Sequence, residues 1–160
     1  MLKEILSILE NDARTTPTQI ATMTGLPVAE VTRLIKQAED ERAILKYKAL
    51  INWAKVDEEQ VWALIEVKVT PEPEVGFDSV AGRISLFPQV RSAYLASGAF
   101  DLLLVAVGKT EHEIADFVAQ KLAHIAGVKA TETHFVLKRY KEDGQVLEGM
   151  EPIKRQQVVL

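Results

Sequence analysis

The chain has 160 residues, 48% hydrophobic and 26% charged, an ordinary globular composition that argues against disorder. It holds no cysteine, which excludes disulfides and thiolate metal sites and suits a reducing compartment. Net charge is −4, without the basic excess usual in nucleic-acid-binding chains: residues 1–60 carry 8 Lys/Arg against 10 Asp/Glu, and residues 61–160 carry 11 against 13.

The N-terminal segment MLKEILSILENDARTT mixes acidic with apolar side chains and lacks a small-residue cleavage site, so it does not read as a signal peptide. Leu2, Ile5, Leu6 and Leu9 make one apolar stripe of a short first helix, which breaks over Asn11–Thr15. Thr16, Pro17 and Gln19 form a capping box with proline at the first helical position, opening a second helix with Ile20, Ala21 and Met23 facing inward. Gly25 ends it. In the third helix Val31, Leu34, Ile35 and Ala38 repeat the stripe, while Ala29, Thr32, Arg33, Lys36 and Gln37 lie opposite.

A short helix, a glycine turn and a longer helix make a helix-turn-helix pattern, in which one face of the last helix is buried and the other enters the major groove. Arg33 and Lys36 project there, and Arg14, Lys46, Lys48 and Lys55 can reach phosphates around it. The same pattern describes many small helical bundles, in which Arg33 and Lys36 are simply a solvated face. Residues 45–60 read as a strand and an acidic linker, with a boundary near Asp57–Gln60.

The period then changes. VWALIEVKV (61–69) alternates, with Val61, Ala63, Ile65, Val67 and Val69 on one side. A helix follows carrying Phe77, Val80, Ile84 and Phe87 on one face, stopped by Pro88. VRSAYLAS (90–97) is a strand, Gly98-Ala99 a tight turn and FDLLLVAV (100–107) a strand. Thr110 and Glu113 form a second capping box, for a helix whose inner stripe is Ile114, Phe117, Val118, Leu122 and Ile125, with Gly127 as terminator. Val128–Tyr140 is the last strand. The predicted fold class is α+β: an N-terminal helix-turn-helix followed by a ferredoxin-like βαββαβ effector-binding domain. The domains are 1–60 (DNA binding, with a strand linker), 61–141 (ligand binding and oligomerisation) and a tail, 142–160.

Every residue from Leu102 to Val107 is apolar, so both faces of that strand call for burial although the helices cover only one. A second copy packed back to back is the favoured cover, with Trp62 and Leu64 contributing; the tail, residues 141–160, is the alternative. Catalytic chemistry is not signalled. The only histidines are His112, His124 and His134, none four residues from another, and Gly108-Lys109-Thr110 lacks the rest of a phosphate loop. No metal and no cofactor is expected, and no apolar run approaches the roughly 20 residues needed to span a bilayer, so no membrane partner either. The expected location is the cytoplasm.

GLPVAEVTRLIKQAEDERAIL, SGAFDLLLVAVGKT and THFVLKRYKEDG, in that order, resemble the recognition helix, the turn-and-strand hallmark and the final strand of the leucine-responsive/asparagine-type (Lrp/AsnC) regulators. The resemblance spans essentially the whole chain. It implies a winged or extended helix-turn-helix on double-stranded DNA, homodimers assembling into tetramers or octamers, and a small-molecule effector of amino-acid type bound between dimers. By this resemblance Arg33 and Lys36 match basic positions of the recognition helix, whereas Leu34 and Gln37 stand where relatives often carry further basic residues. Pro27 replaces a usual serine. Gly98, Ala99, Phe100 and Asp101 match the ligand loop, with Ala99 where an acidic residue is common, and Thr131, Thr133 and His134 match the strand facing it from a neighbouring dimer. The DNA-binding set is Arg14, Ala29, Thr32, Arg33, Lys36 and Lys48. Two other readings stay open: an effector-binding or oligomerisation module with little DNA affinity, and a small dimeric ferredoxin-like enzyme using His134 and Asp101.

Overall fold

A computed structural model describes residues 1–56, 60–71, 73–74 and 76–147. The chain divides into two compact units, Met1–Ile51 and Asn52–Leu160. That division falls a few residues before the expected boundary, of which Asp57–Glu59 lie outside the described residues.

The first unit has three helices, α1 (Leu2–Asn11), α2 (Pro17–Thr24) and α3 (Val28–Asp40). Their stripes meet in one cluster in which Ile5, Ile20 and Val31 are fully buried and Leu9, Ala21 and Leu34 nearly so. The Thr16–Gln19 capping box forms in both directions and satisfies donors that the first turn of α2 would otherwise leave orphaned. Gly25 closes α2 at φ +73°, a left-handed conformation that costs a side-chain-bearing residue about 1–2 kcal/mol. Met23 corrects the expectation of an inward residue: it is 64% exposed. The inward face of α2 continues instead to half-buried Thr24, one turn beyond Ile20, whose carbonyl accepts the Thr24 hydroxyl. Pro27 supplies no side-chain cap to α3, as its lack of a hydroxyl requires.

The strand expected ahead of the acidic linker within residues 45–60 does not form among the described residues. Residues 45–52 have no regular structure, Trp53–Lys55 make a 3₁₀ turn, and Leu45 and Tyr47 stay exposed. A strand needs a ladder partner, and among the described residues this segment has none.

The second unit is the expected βαββαβ: β1 (Val61–Val69), α4 (Asp78–Ser85), β2 (Val90–Leu95), β3 (Leu102–Gly108), α5 (Glu111–Gln120) and β4 (Val128–Phe135). The strands form one antiparallel sheet in the order β2-β3-β1-β4, with β1 and β3 central. Ala63, Ile65, Val67, Leu102, Leu104 and Ala106 on one face pack against Val80, Ile84, Ile114, Phe117 and Leu122 from the helical layer. Phe87 meets Phe117 edge-on at 5.3 Å. Gly127 turns the chain into β4 at φ +96°, and a Cβ there would lie 2.8 Å from Val80 Cγ2, so both conformation and space demand glycine.

Several limits differ from the sequence reading. Strands β2 and β3 leave Ala96–Asp101 as a longer loop than the expected two-residue turn. Thr110 caps α5 by accepting the Glu113 N–H, but the Glu113 carboxylate accepts the Lys109 N–H at 2.8 Å, so the reciprocal half of a capping box is absent. Helix α5 stops at Gln120, and a 3₁₀ turn, Leu122–His124, carries the stripe onward. Strand β4 ends at Phe135, not Tyr140: Phe135 pairs with Ala63, the Val136 N–H donates to the Trp62 carbonyl, and in that register residues 138–140 fall beyond the start of β1 at Val61. A small hairpin, β5 (Lys141–Glu142) with β6 (Gln145–Val146), follows. The rest of the tail, 148–160, lies outside the described residues.

Candidate nucleic-acid interface

Burial of Val31, Leu34 and Ala38 fixes the roll of α3 and turns Ala29, Thr32, Arg33 and Lys36 to solvent. Leu34 is in the core, so the place where basic residues are common in the resembling family offers no groove contact here. Arg14, in the loop before α2, and Lys48 are exposed as well. Tyr47 anchors the segment bearing Lys48: its hydroxyl donates to Glu39 of α3 at 2.9 Å, and partial burial together with that carboxylate raises the phenol above its ordinary pKa.

Both cations on the outward face of α3 are engaged within their own helix. The Arg33 Nη2 and Nε donate to the two oxygens of Glu30 at 2.8 and 3.2 Å, a two-point contact one turn apart. Lys36 Nζ lies 3.2 Å from Asp40 Oδ1. The hydrogen bonds from Arg33 hold the Glu30 carboxyl below the usual carboxylate range and raise the guanidinium in turn. Residues 1–51 hold 7 Lys/Arg and 7 Asp/Glu, so attraction to a duplex rests on local arrangement and not on net charge. Neither pairing was read from the sequence, although the spacing of Glu30 three residues before an arginine and of Asp40 four after a lysine was the available signal.

The expected effector residues are divided by the sheet. Gly98 and Ala99 are exposed in the β2–β3 loop; Phe100 and Asp101 are half-buried. Asp101 fastens that loop to the end of β1: its carboxylate accepts the Val69 N–H at 2.8 Å and its own N–H donates to the Val67 carbonyl at 3.0 Å. Thr131 pairs with Val67 and Thr133 with Ile65, on the helix-covered face. His134 pairs with Leu64, on the other face. Within one chain, then, Thr131 lies nearest the loop and His134 points away from it. Two surface concavities lie elsewhere, one along α1 beside Met1, Ile8 and Met23, the other around Gln89, Thr110 and Asp116.

On the face away from the helices, Glu66, Glu132 and His134 bring one ligand-type atom each within 4.8 Å of one another. His134 Nε2 sits 3.5 Å from Glu66 and 3.9 Å from Glu132. Ion pairing by a protonated imidazole fits these distances equally well, and no metal is assigned. The grouping depends on the β1–β4 register, which no local sequence signal reveals.

Comparison with known proteins defines the class. Residues 62–146 match the Lrp/AsnC ligand binding domain and residues 2–44 a winged helix-turn-helix DNA-binding domain. The uncharacterized HTH-type transcriptional regulator YugG of Bacillus subtilis (strain 168) is 48% identical over 95% of this chain and 92% of its own length. LrpA of Pyrococcus abyssi, another HTH-type transcriptional regulator, is 33% identical over 87% and 96%. A solved transcriptional regulator from Neisseria meningitidis, in complex with L-Met, superposes with a TM-score of 0.69 at 26% identity, covering 88% of this chain and 90% of that one. A helix-turn-helix joined to a ligand-binding domain makes the chain a transcriptional regulator and not an enzyme, which sets aside the reading of Asp101 and His134 as catalytic. The chain belongs to the Lrp/AsnC family. No helix among the described residues is long and apolar enough to cross a membrane.

Proposed function

We propose that this chain is a cytoplasmic regulator that reads double-stranded DNA with α3 and changes that binding when an amino acid occupies its second unit. The observation that carries the first part is the outward face of α3, where Ala29, Thr32, Arg33 and Lys36 are all exposed opposite a fully packed stripe. Arg14 and Lys48 supply phosphate contacts at its margins. A mobility shift against a duplex selected from a random pool tests this reading. A rival draws support from the paired cations and neutral charge of the first unit: an effector-binding module with little DNA affinity. No shift at any protein concentration at low salt favours that rival.

Support for the effector comes from the family's ligand-binding domain and from the L-Met bound by the Neisseria regulator. Asp101 holds the loop with one carboxylate oxygen, leaving the other free to accept from an ammonium group; Thr131, Thr133 and His134 contribute from a neighbouring dimer. A thermal-shift screen of the common amino acids should yield at least one stabiliser, raising the melting temperature as ligand exceeds its Kd. No stabiliser among them contradicts the amino-acid reading.

The assembly unit is a homodimer with the sheets back to back, from which tetramers or octamers are built. Leu103 and Val105 of β3 remain half-buried on the face away from the helices, Leu64 is 38% exposed and Tyr94 55% exposed there. An apolar patch of this kind, bordered by Glu66 opposite Leu103, marks an interface. Val105→Glu should lower the sedimentation mass to the 17.8 kDa protomer, and an unchanged mass assigns the contact elsewhere.

A further inference from the structure

We propose that Glu30 is a specificity-determining residue: it holds Arg33 by the side edge of its guanidinium, so that the end edge is presented to guanine. The inference rests on the reading of Arg33 as a groove-facing side chain. A guanidinium has two edges that can donate a parallel pair of hydrogen bonds, one formed by Nε with a terminal nitrogen, the other by the two terminal nitrogens. Glu30 occupies the first, with Nε–Oε2 at 3.2 Å and Nη2–Oε1 at 2.8 Å. The second carries only a long contact, Nη1 donating to the side-chain amide oxygen of Gln37, Oε1, at 3.4 Å. Guanine O6 and N7 take a bidentate donor pair, and the end edge supplies it without displacing Glu30.

Two consequences separate this arrangement from an ordinary surface ion pair. An arginine held by both oxygens of a carboxylate gives up little further rotamer freedom on meeting a base, so the specific contact costs less to form. The pair is also electrically neutral, and its carboxylate stands beside the approaching backbone, so random phosphate contacts gain little. Glu30 therefore favours base reading over phosphate binding. The contact between Lys36 and Asp40 is as neutral but lacks the two-point hold: it is a single-point approach with both side chains more than 60% exposed, and a rotatable ammonium has no second edge to present.

The test uses the full chain and a duplex selected by it from a random pool, with 7-deazaguanine placed singly at each guanine to remove N7. Melting temperatures of Glu30→Gln and Arg33→Ala should match that of the unmodified protein. At one guanine, deaza substitution should weaken unmodified protein about tenfold, and Arg33→Ala should abolish that penalty. Glu30→Gln should bind unrelated duplex several-fold more tightly, with a log–log salt slope steeper by about one, yet lose most of the deaza penalty and about tenfold of its preference for the selected duplex. An equal gain on both duplexes with the deaza penalty intact reduces Glu30 to a repelling charge and overturns the proposal. An Arg33→Ala variant that keeps the full deaza penalty overturns the groove reading of Arg33 itself, a result distinct from a failure confined to Glu30→Gln.

Discussion

Arg33→Ala combined with Lys36→Ala should weaken binding to a selected duplex by at least about 10²-fold while leaving the melting temperature and the assembly state unchanged. Both side chains are exposed on α3, and neither contributes to the Ile5–Ile20–Val31 cluster. Their removal therefore alters only what the helix presents. The loss is expected to be uneven. Arg33 acts on a base edge, so its absence should flatten preference at one position. Lys36 acts as a point charge, so its absence should lower affinity for every duplex alike and reduce the salt slope. Competition titrations at two salt concentrations, with each single variant and the double, resolve the two components. Equal losses on selected and unrelated duplexes for Arg33→Ala would remove its role in reading sequence.

Leu104→Ala should destabilise the second unit by about 2–5 kcal/mol, a large share of the stability of a domain this size. Leu104 is completely buried at the middle of β3, paired with Ile65 of β1 on one side and Ala93 of β2 on the other, under the helical layer. A cavity there has rigid sheet on both flanks and little room to collapse. Denaturant titration reports the cost directly. The first unit has its own core and does not share this residue, so the loss should appear in the second unit's transition. A cost below about 1 kcal/mol would mean that the sheet and helices are packed more loosely than the described contacts require.

The helix-turn-helix was legible because each of its signals is local: the 3.6-residue stripes, the Thr16–Gln19 capping box and the glycine turn are all set by neighbours within one turn of helix. The order of strands and helices in the second half was legible for the same reason. Misjudged features depend on contacts distant in sequence. Strand β4 looks able to continue through Tyr140, yet in the register set by Ala63 and Phe135 residues 138–140 fall beyond the start of β1 and have no ladder to join. Residues 45–52 have strand-like composition but no ladder to join. Met23 sits at a spacing that suits burial, yet it is exposed, and Thr24, one turn beyond Ile20, is half-buried in its place. At the site, the cations of α3 were visible but their occupancy was not: only the side-chain geometry joins Glu30 to Arg33 and Asp40 to Lys36. Asp101 reads as a ligand group in the resembling loop, whereas its hydrogen bond to Val69 crosses 32 residues of sequence.

Chemical protection of guanine N7 in the complex with a selected duplex reports entry of α3 into the groove, since N7 lies in the major groove. At least one guanine should be strongly protected by the unmodified protein and recover its reactivity when Arg33→Ala protein is bound at saturating concentration. A saturated complex in which every N7 stays reactive, or in which Arg33→Ala protects the same guanine fully, would contradict entry of α3 into the groove.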